Sequence, residues 1–245
     1  MRFLRFLTCV SCLMYLGGCV FLNIASQETA VPIHPSKTSV AISAGTSFDL
    51  DDTIYDPDDE FHEIESALME NYKVGISLHR KLDLLLNMGI TNGSGGGVPR
   101  TRKDQTQQYK AGLKYLIWQH DSSYYAIYPS LYQIKATNWD LDPDEPKDEE
   151  YKIEGIETQF IYSYQASEYL LGSLIARANL SKLSKKDFGV DMGERNIINF
   201  GGRANVQFSW RFIHQTTEIG LEVIPVKNGN LQLMPCYSIG IGLKL

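Results

Sequence analysis

Residues 231–245 read LQLMPCYSIGIGLKL, and from Ser238 to Leu245 apolar residues alternate strictly with small or polar ones. Alternation at every second residue is the mark of a strand with two unlike faces. One face carries Ile239, Ile241, Leu243 and Leu245; the other carries Ser238, Gly240, Gly242 and Lys244. The fold turns on which face meets solvent. Turned inward, the apolar face makes a soluble barrel or sandwich; turned outward, it requires lipid.

The same beat recurs along the chain in 40–50, 64–77, 82–91 and 109–118, and less cleanly in 124–136. It returns in 153–164, 169–180, 197–213, 217–226 and 230–245. Residues 197–213 show it best. There Ile198, Phe200, Ala204, Val206, Phe208, Trp210 and Phe212 oppose Asn199, Arg203, Asn205, Gln207, Ser209 and Arg211.

The connections alternate too. Long segments (51–63, 92–107, 137–150 and 181–195) take turns with tight ones (78–81, 119–123, 165–168 and 214–216), and only the last upper connection, 227–230 with its Asn-Gly, is short. These features predict an all-β fold: an antiparallel up-and-down transmembrane β-barrel of about 10 strands. Long loops stand on one side and short turns on the other.

Composition points the apolar face outward. The outer face of a soluble sheet favours Lys, Glu and Thr. Here the polar face is instead rich in small residues, among them Gly75, Gly112, Gly155, Gly201, Gly220, Gly240 and Gly242, which suit a cramped lumen.

Charges of both signs lie among them: Lys73, Asp83, Lys110, Lys114, Glu157, Arg177, Arg203, Arg211, Glu218 and Glu222. Unpaired buried charges are costly, so these are expected to interlock across a narrow interior. Aromatics on the apolar face gather near strand ends, with Tyr115, Tyr162, Tyr164, Trp210 and Phe212 below and Phe48, Tyr109 and Phe200 above. That spacing suits two membrane interfaces. Pro129, Pro225 and Pro235 run against the scheme, because each removes a ladder donor inside a proposed strand.

The N-terminus has a processing pattern: Arg2 and Arg5, the apolar run FLTCVSCLMY (6–15), then LGGC (16–19). LGGC resembles the bacterial lipobox. The resemblance implies a signal peptide over 1–18, a lipid on Cys19, a lipid-anchored linker over 19–38 and a barrel over 39–245. Pro32 and Pro35 suit such a linker.

The C-terminus resembles the assembly signal of outer-membrane barrels. Ser238, Gly240, Leu243 and Leu245 take its spacing, with Leu245 in place of the usual terminal aromatic. Together these resemblances imply two partners, outer-membrane lipid and the barrel-assembly machinery. They also imply a bacterial outer-membrane address, with the anchor on the periplasmic side and the long loops extracellular.

The expected function is a lipid-anchored outer-membrane barrel with a structural, surface-interaction or narrow-pore role. Ten strands leave little free lumen once side chains fill it. A net charge of -6 argues against a nucleic-acid partner. No histidine or cysteine spacing indicates a metal, and no cofactor or enzymatic activity is expected.

Three further readings stand beside it. A periplasmic lipocalin-like barrel would hold an apolar ligand inside. An outer-rim hydrolase would use His62 beside Glu63, Glu65 and Ser66. The acidic residues Asp51, Asp52, Asp56, Asp58, Asp59 and Glu60, and Asp140, Asp142, Asp144, Glu145, Asp148, Glu149 and Glu150, offer oxygen ligands for a divalent cation.

Overall fold

A computed structural model describes residues 28–33, 40–49, 67–92, 105–140, 147–225 and 231–244. Among these residues ten strands run in chain order: β1 (Val40–Asp49), β2 (Ala67–His79), β3 (Leu82–Asn92), β4 (Gln105–His120) and β5 (Ser123–Asp140). They continue as β6 (Lys147–Gln165), β7 (Leu170–Asp187), β8 (Val190–Trp210), β9 (Ile213–Pro225) and β10 (Leu231–Lys244). Each pairs antiparallel with its sequence neighbour, and β1 pairs with β10 to close the barrel. Closure opposes Gly45 to Gly240 and Ala44 to Ile241. A closed sheet leaves no unpaired edge, the condition for a β-structure in hydrocarbon.

Short connections end one side of the barrel at 80–81, 121–122, 166–169 and 211–212. Asp121 (φ 49°) and Arg211 (φ 57°) take left-handed backbone in two of them.

At the other end two expected loops are strand. β5 and β6 extend until Asp140 faces Lys147, which takes in most of 137–150. Segment 181–195 becomes the ends of β7 and β8, joined only by Phe188 (φ 46°) and Gly189 (φ 75°). In 181–195 charge falls on both faces of the extended strands, with Lys182 and Lys186 on one side of β7 and Lys185 and Asp187 on the other, so a reading keyed to apolar faces saw a loop.

The prolines are accommodated locally. Pro129 pairs with Thr158 of β6, while the β4 ladder steps from Gly112/Ser130 to Tyr115/Ile127 and passes it by. Pro235 lies beyond the part of β10 that β1 covers, and Pro225 is the last residue of β9.

Candidate functional site

The strand faces divide as their chemistry demands. Inward-facing residues of β7 are Leu171, Ser173, Ile175, Arg177, Asn179, Ser181 and Leu183, all buried. Outward-facing Leu174, Ala176 and Leu180 are exposed.

Midway up the lumen six charged side chains form one chain of ion pairs. Lys110 (β4) meets Glu157 (β6). The other oxygen of Glu157 accepts from Arg177 Nη2 (β7) at 2.5 Å. Arg177 Nη1 donates to Glu222 Oε1 (β9) at 2.8 Å. Arg203 (β8) donates from Nη2 to that same Oε1 at 2.8 Å and from Nη1 to Glu218 Oε1 at 2.9 Å. Gln159 Nε2 adds a hydrogen bond to Glu157 at 2.5 Å.

Three cations balance three carboxylates, and all six are buried. Such a chain holds only if complete, because deleting one member strands its neighbour's charge in a medium of low dielectric.

Glycines make the room. A Cβ on Gly201 would lie 2.5 Å from Glu222 Oε2, and one on Gly220 would lie 2.6 Å from Arg203 Cγ. Cys236, buried and free, faces the lumen against Gly220.

Toward the short turns an apolar cluster forms in the lumen, with Leu85, Ala126, Tyr128, Ile161 and Ile175 packed around Ala30. Lys110 Nζ stands 4.9 Å from the centre of the Tyr128 ring.

Ala30 belongs to no strand. Residues 28–33, part of the stretch expected as a linker, lie inside the barrel. Glu28 pairs with Lys73 of β2 at 2.5 Å, and its carbonyl accepts from Asn205 Nδ2 of β8 at 2.7 Å. Ala30 N donates to Ser163 Oγ of β6 at 2.8 Å, and Ile33 N donates to Asp83 Oδ2 of β3 at 3.1 Å. Lys114 Nζ of β4 donates to the Val31 carbonyl at 3.0 Å and pairs with Asp83 at 3.1 Å. β3 and β8 stand five strands apart in a ten-strand ring, so this strap crosses the lumen from wall to opposite wall.

The structure therefore distributes the charged residues singled out from sequence. Glu157, Arg203, Glu218 and Glu222 share the central chain with Lys110 and Arg177. Lys73, Asp83 and Lys114 meet the strap instead. Arg211 belongs to neither group. It sits exposed in the turn after β8, its guanidinium 5.4 Å from the Trp210 ring, because alternation ends where the strand does.

Glu28 was legible only as a residue of a polar linker, since a single acid in an irregular segment has no periodicity to orient it. Ser238 and Gly240 face inward and are buried, while Leu243 faces outward. Cys19, His62, Leu245 and the acidic residues 51–60 lie outside the described residues. Among the described residues no cluster of potential metal ligands forms.

The outer wall is apolar in a band with a sharp upper limit. Leu131, Ile156, Leu180 and Ile198 stand side by side on β5 to β8, each at least half-exposed. One step up the same outward face, the neighbours are Gln133, Glu154, Lys182 and Asn196, also in register. Gln133 bonds Glu154 at 2.6 Å there, and Lys182 pairs with Glu194 at 2.5 Å.

At the short-turn end the band closes with aromatics. Trp118, Tyr125 and Tyr162 touch in sequence with ring centres 5.2 and 4.9 Å apart. Outward residues from Leu170 to Leu180 of β7 cover about 33 Å of strand, or roughly 25 Å of height at the usual tilt of a membrane barrel. That height matches the hydrocarbon a barrel must cross.

Ile241, 60% exposed, faces this band. A lipocalin-like interior is thereby overturned, for the apolar face is outside and the lumen holds paired charge.

Above the band β5 to β8 continue, and β7 rises seven more residues to Asp187. At its tip Phe188, Val190 and Met192 are 58%, 63% and 55% exposed.

The sequence matches no protein-family model and no curated protein. Solved structures resemble the fold. The translocator domain of the autotransporter NalP from Neisseria meningitidis superposes with a TM-score of 0.54 at 11% identity, over 86% of this chain and 90% of that one. The outer membrane protease OmpT from Escherichia coli gives 0.45 at 10% identity, over 85% and 96%. Neisserial surface protein A gives 0.38 at 11% identity, over 85% and 97%. At such identity the likeness to the NalP domain shows the fold alone, a closed antiparallel up-and-down β-barrel.

Proposed function

We propose that this chain is an outer-membrane β-barrel, lipid-anchored through Cys19, whose sealed wall displays a surface-interaction element. The lumen supports this reading over a narrow pore. The chain from Lys110 to Glu218 pairs every charge it contains, and the strap crosses the lumen below it. On this reading the short turns and the anchor are periplasmic and the β5–β8 extension is extracellular.

The extension carries the function. Its tip sets three exposed apolar side chains beyond the membrane band, a pattern that surfaces keep for contact with a partner. The acidic connections remain a place where divalent cations would find oxygen ligands.

Two measurements test the proposal together. Purified protein in a planar bilayer is expected to give no steady conductance. A Met192→Cys variant on intact cells is expected to react with a membrane-impermeant maleimide. Steady ion flow through the wild type, or labelling only after the cells are broken, would contradict it. Globomycin-sensitive processing and loss of the lipid in a Cys19→Ala variant test the anchor separately.

A further inference from the structure

We propose that the short-turn half of the lumen is a binding site for an extended peptide, occupied in the intact chain by its own residues 28–33. The wall reads this segment mainly through its backbone. Asn205 and Lys114 donate to the carbonyls of Glu28 and Val31, and Ser163 and Asp83 accept from the amides of Ala30 and Ile33. These four side chains come from four strands and are each buried. Contacts of this kind fix direction and register without demanding a particular side chain, as when a peptide is bound by main-chain hydrogen bonds.

Side chains then add selectivity at three places. Lys73 meets the carboxylate of Glu28, a charge-assisted contact at 2.5 Å. Ala30 is fully enclosed by Leu85, Tyr128, Ile161 and Ile175, where a larger residue would not fit. Ile33 reaches over Gly75, and a Cβ there would lie 2.4 Å from Ile33 Cδ1. Between them Pro32 holds the backbone extended and presents no donor needing a partner.

The favoured ligand is thus acid, any, small, any, proline, aliphatic. The link to β1 spans six residues, 34–39, so the tethered segment sees a high effective concentration and occupies the site ahead of free peptides.

The test supplies the segment in trans. A chain lacking residues 28–33 is refolded, and binding of the labelled hexapeptide Glu-Thr-Ala-Val-Pro-Ile is followed by fluorescence anisotropy. Saturable binding is expected, at least tenfold weaker for the peptide with Gln at its first position and for a Lys73→Met barrel. The full-length barrel, its site filled, is expected to bind none. A folded deletion variant that fails to bind, or that binds a scrambled peptide equally, would overturn the proposal.

Should the deletion variant not fold, a protease site placed within 34–39 and cut after folding frees the segment in place. It is then expected to stay bound through gel filtration and to exchange with labelled hexapeptide, faster in Lys73→Met. Immediate loss of the cut segment, with no uptake of labelled hexapeptide, would overturn the proposal equally.

Discussion

Glu222 occupies the space that a side chain on Gly201 would take: the two residues are paired across β8 and β9, and a Cβ at 201 would lie 2.5 Å from the Glu222 carboxylate. The carboxylate cannot retreat, because its Oε1 is held by both Arg177 and Arg203. Gly201→Ala is therefore expected to destabilise the barrel by about 1–3 kcal/mol, the usual cost of overpacking. Gly202, one residue on, faces outward with nothing within 4 Å of an added Cβ. Gly202→Ala is expected to be neutral or slightly stabilising, since it narrows only the unfolded ensemble. Urea unfolding of both variants in lipid vesicles checks the contrast, and equal effects would contradict it.

Removing Glu222 leaves three buried cations against two carboxylates, with Arg177 keeping only Glu157 and Arg203 only Glu218. Glu222→Ala is expected to cost about 3–5 kcal/mol, the range for breaking a buried pair by deleting one partner. Glu154→Ala, which removes an exposed acid paired with Lys152 on the outer face, is expected to leave the unfolding midpoint unchanged. Similar midpoints for the two variants would show that the lumen charges are hydrated rather than sealed.

Strand number was legible because it rests on a two-residue period, which backbone geometry enforces regardless of distant contacts. The outward face was legible from composition instead, since the same alternation would fit a soluble barrel with its faces exchanged and only the small residues of the polar face decide between them. The same period placed Glu157, Arg203, Glu218 and Glu222 inward. It placed Arg211 inward as well, wrongly, because periodicity carries no signal for the residue at which a strand turns.

The strap escaped the sequence for the opposite reason. Residues 28–33 are held by backbone atoms that any residues supply, so only Glu28 and Ala30 hint at their surroundings. The upper extension of β7 and β8 escaped because both of its faces beyond the bilayer carry charge, where alternation no longer separates apolar from polar.

Phe188 holds left-handed backbone at the tip of that extension, a conformation that costs a residue with a Cβ about 1–2 kcal/mol. Its ring is mostly exposed and recovers little of this by packing. Asn tolerates such backbone better. Phe188→Asn is expected to raise stability by up to about 1 kcal/mol while weakening any contact made by the tip. A stability loss would mean that Phe188 packs within the fold instead of projecting from it.

Spin labels at Leu180 and Lys182 test the central claim most directly. The two residues lie on one outward face of β7, a single pleat apart, on either side of the limit between apolar band and charged extension. In protein reconstituted into vesicles, the label at 180 is expected to relax with oxygen and the label at 182 with a polar nickel chelate. Equal access of the chelate to both positions would place the apolar band in water, and the barrel would not be a membrane protein.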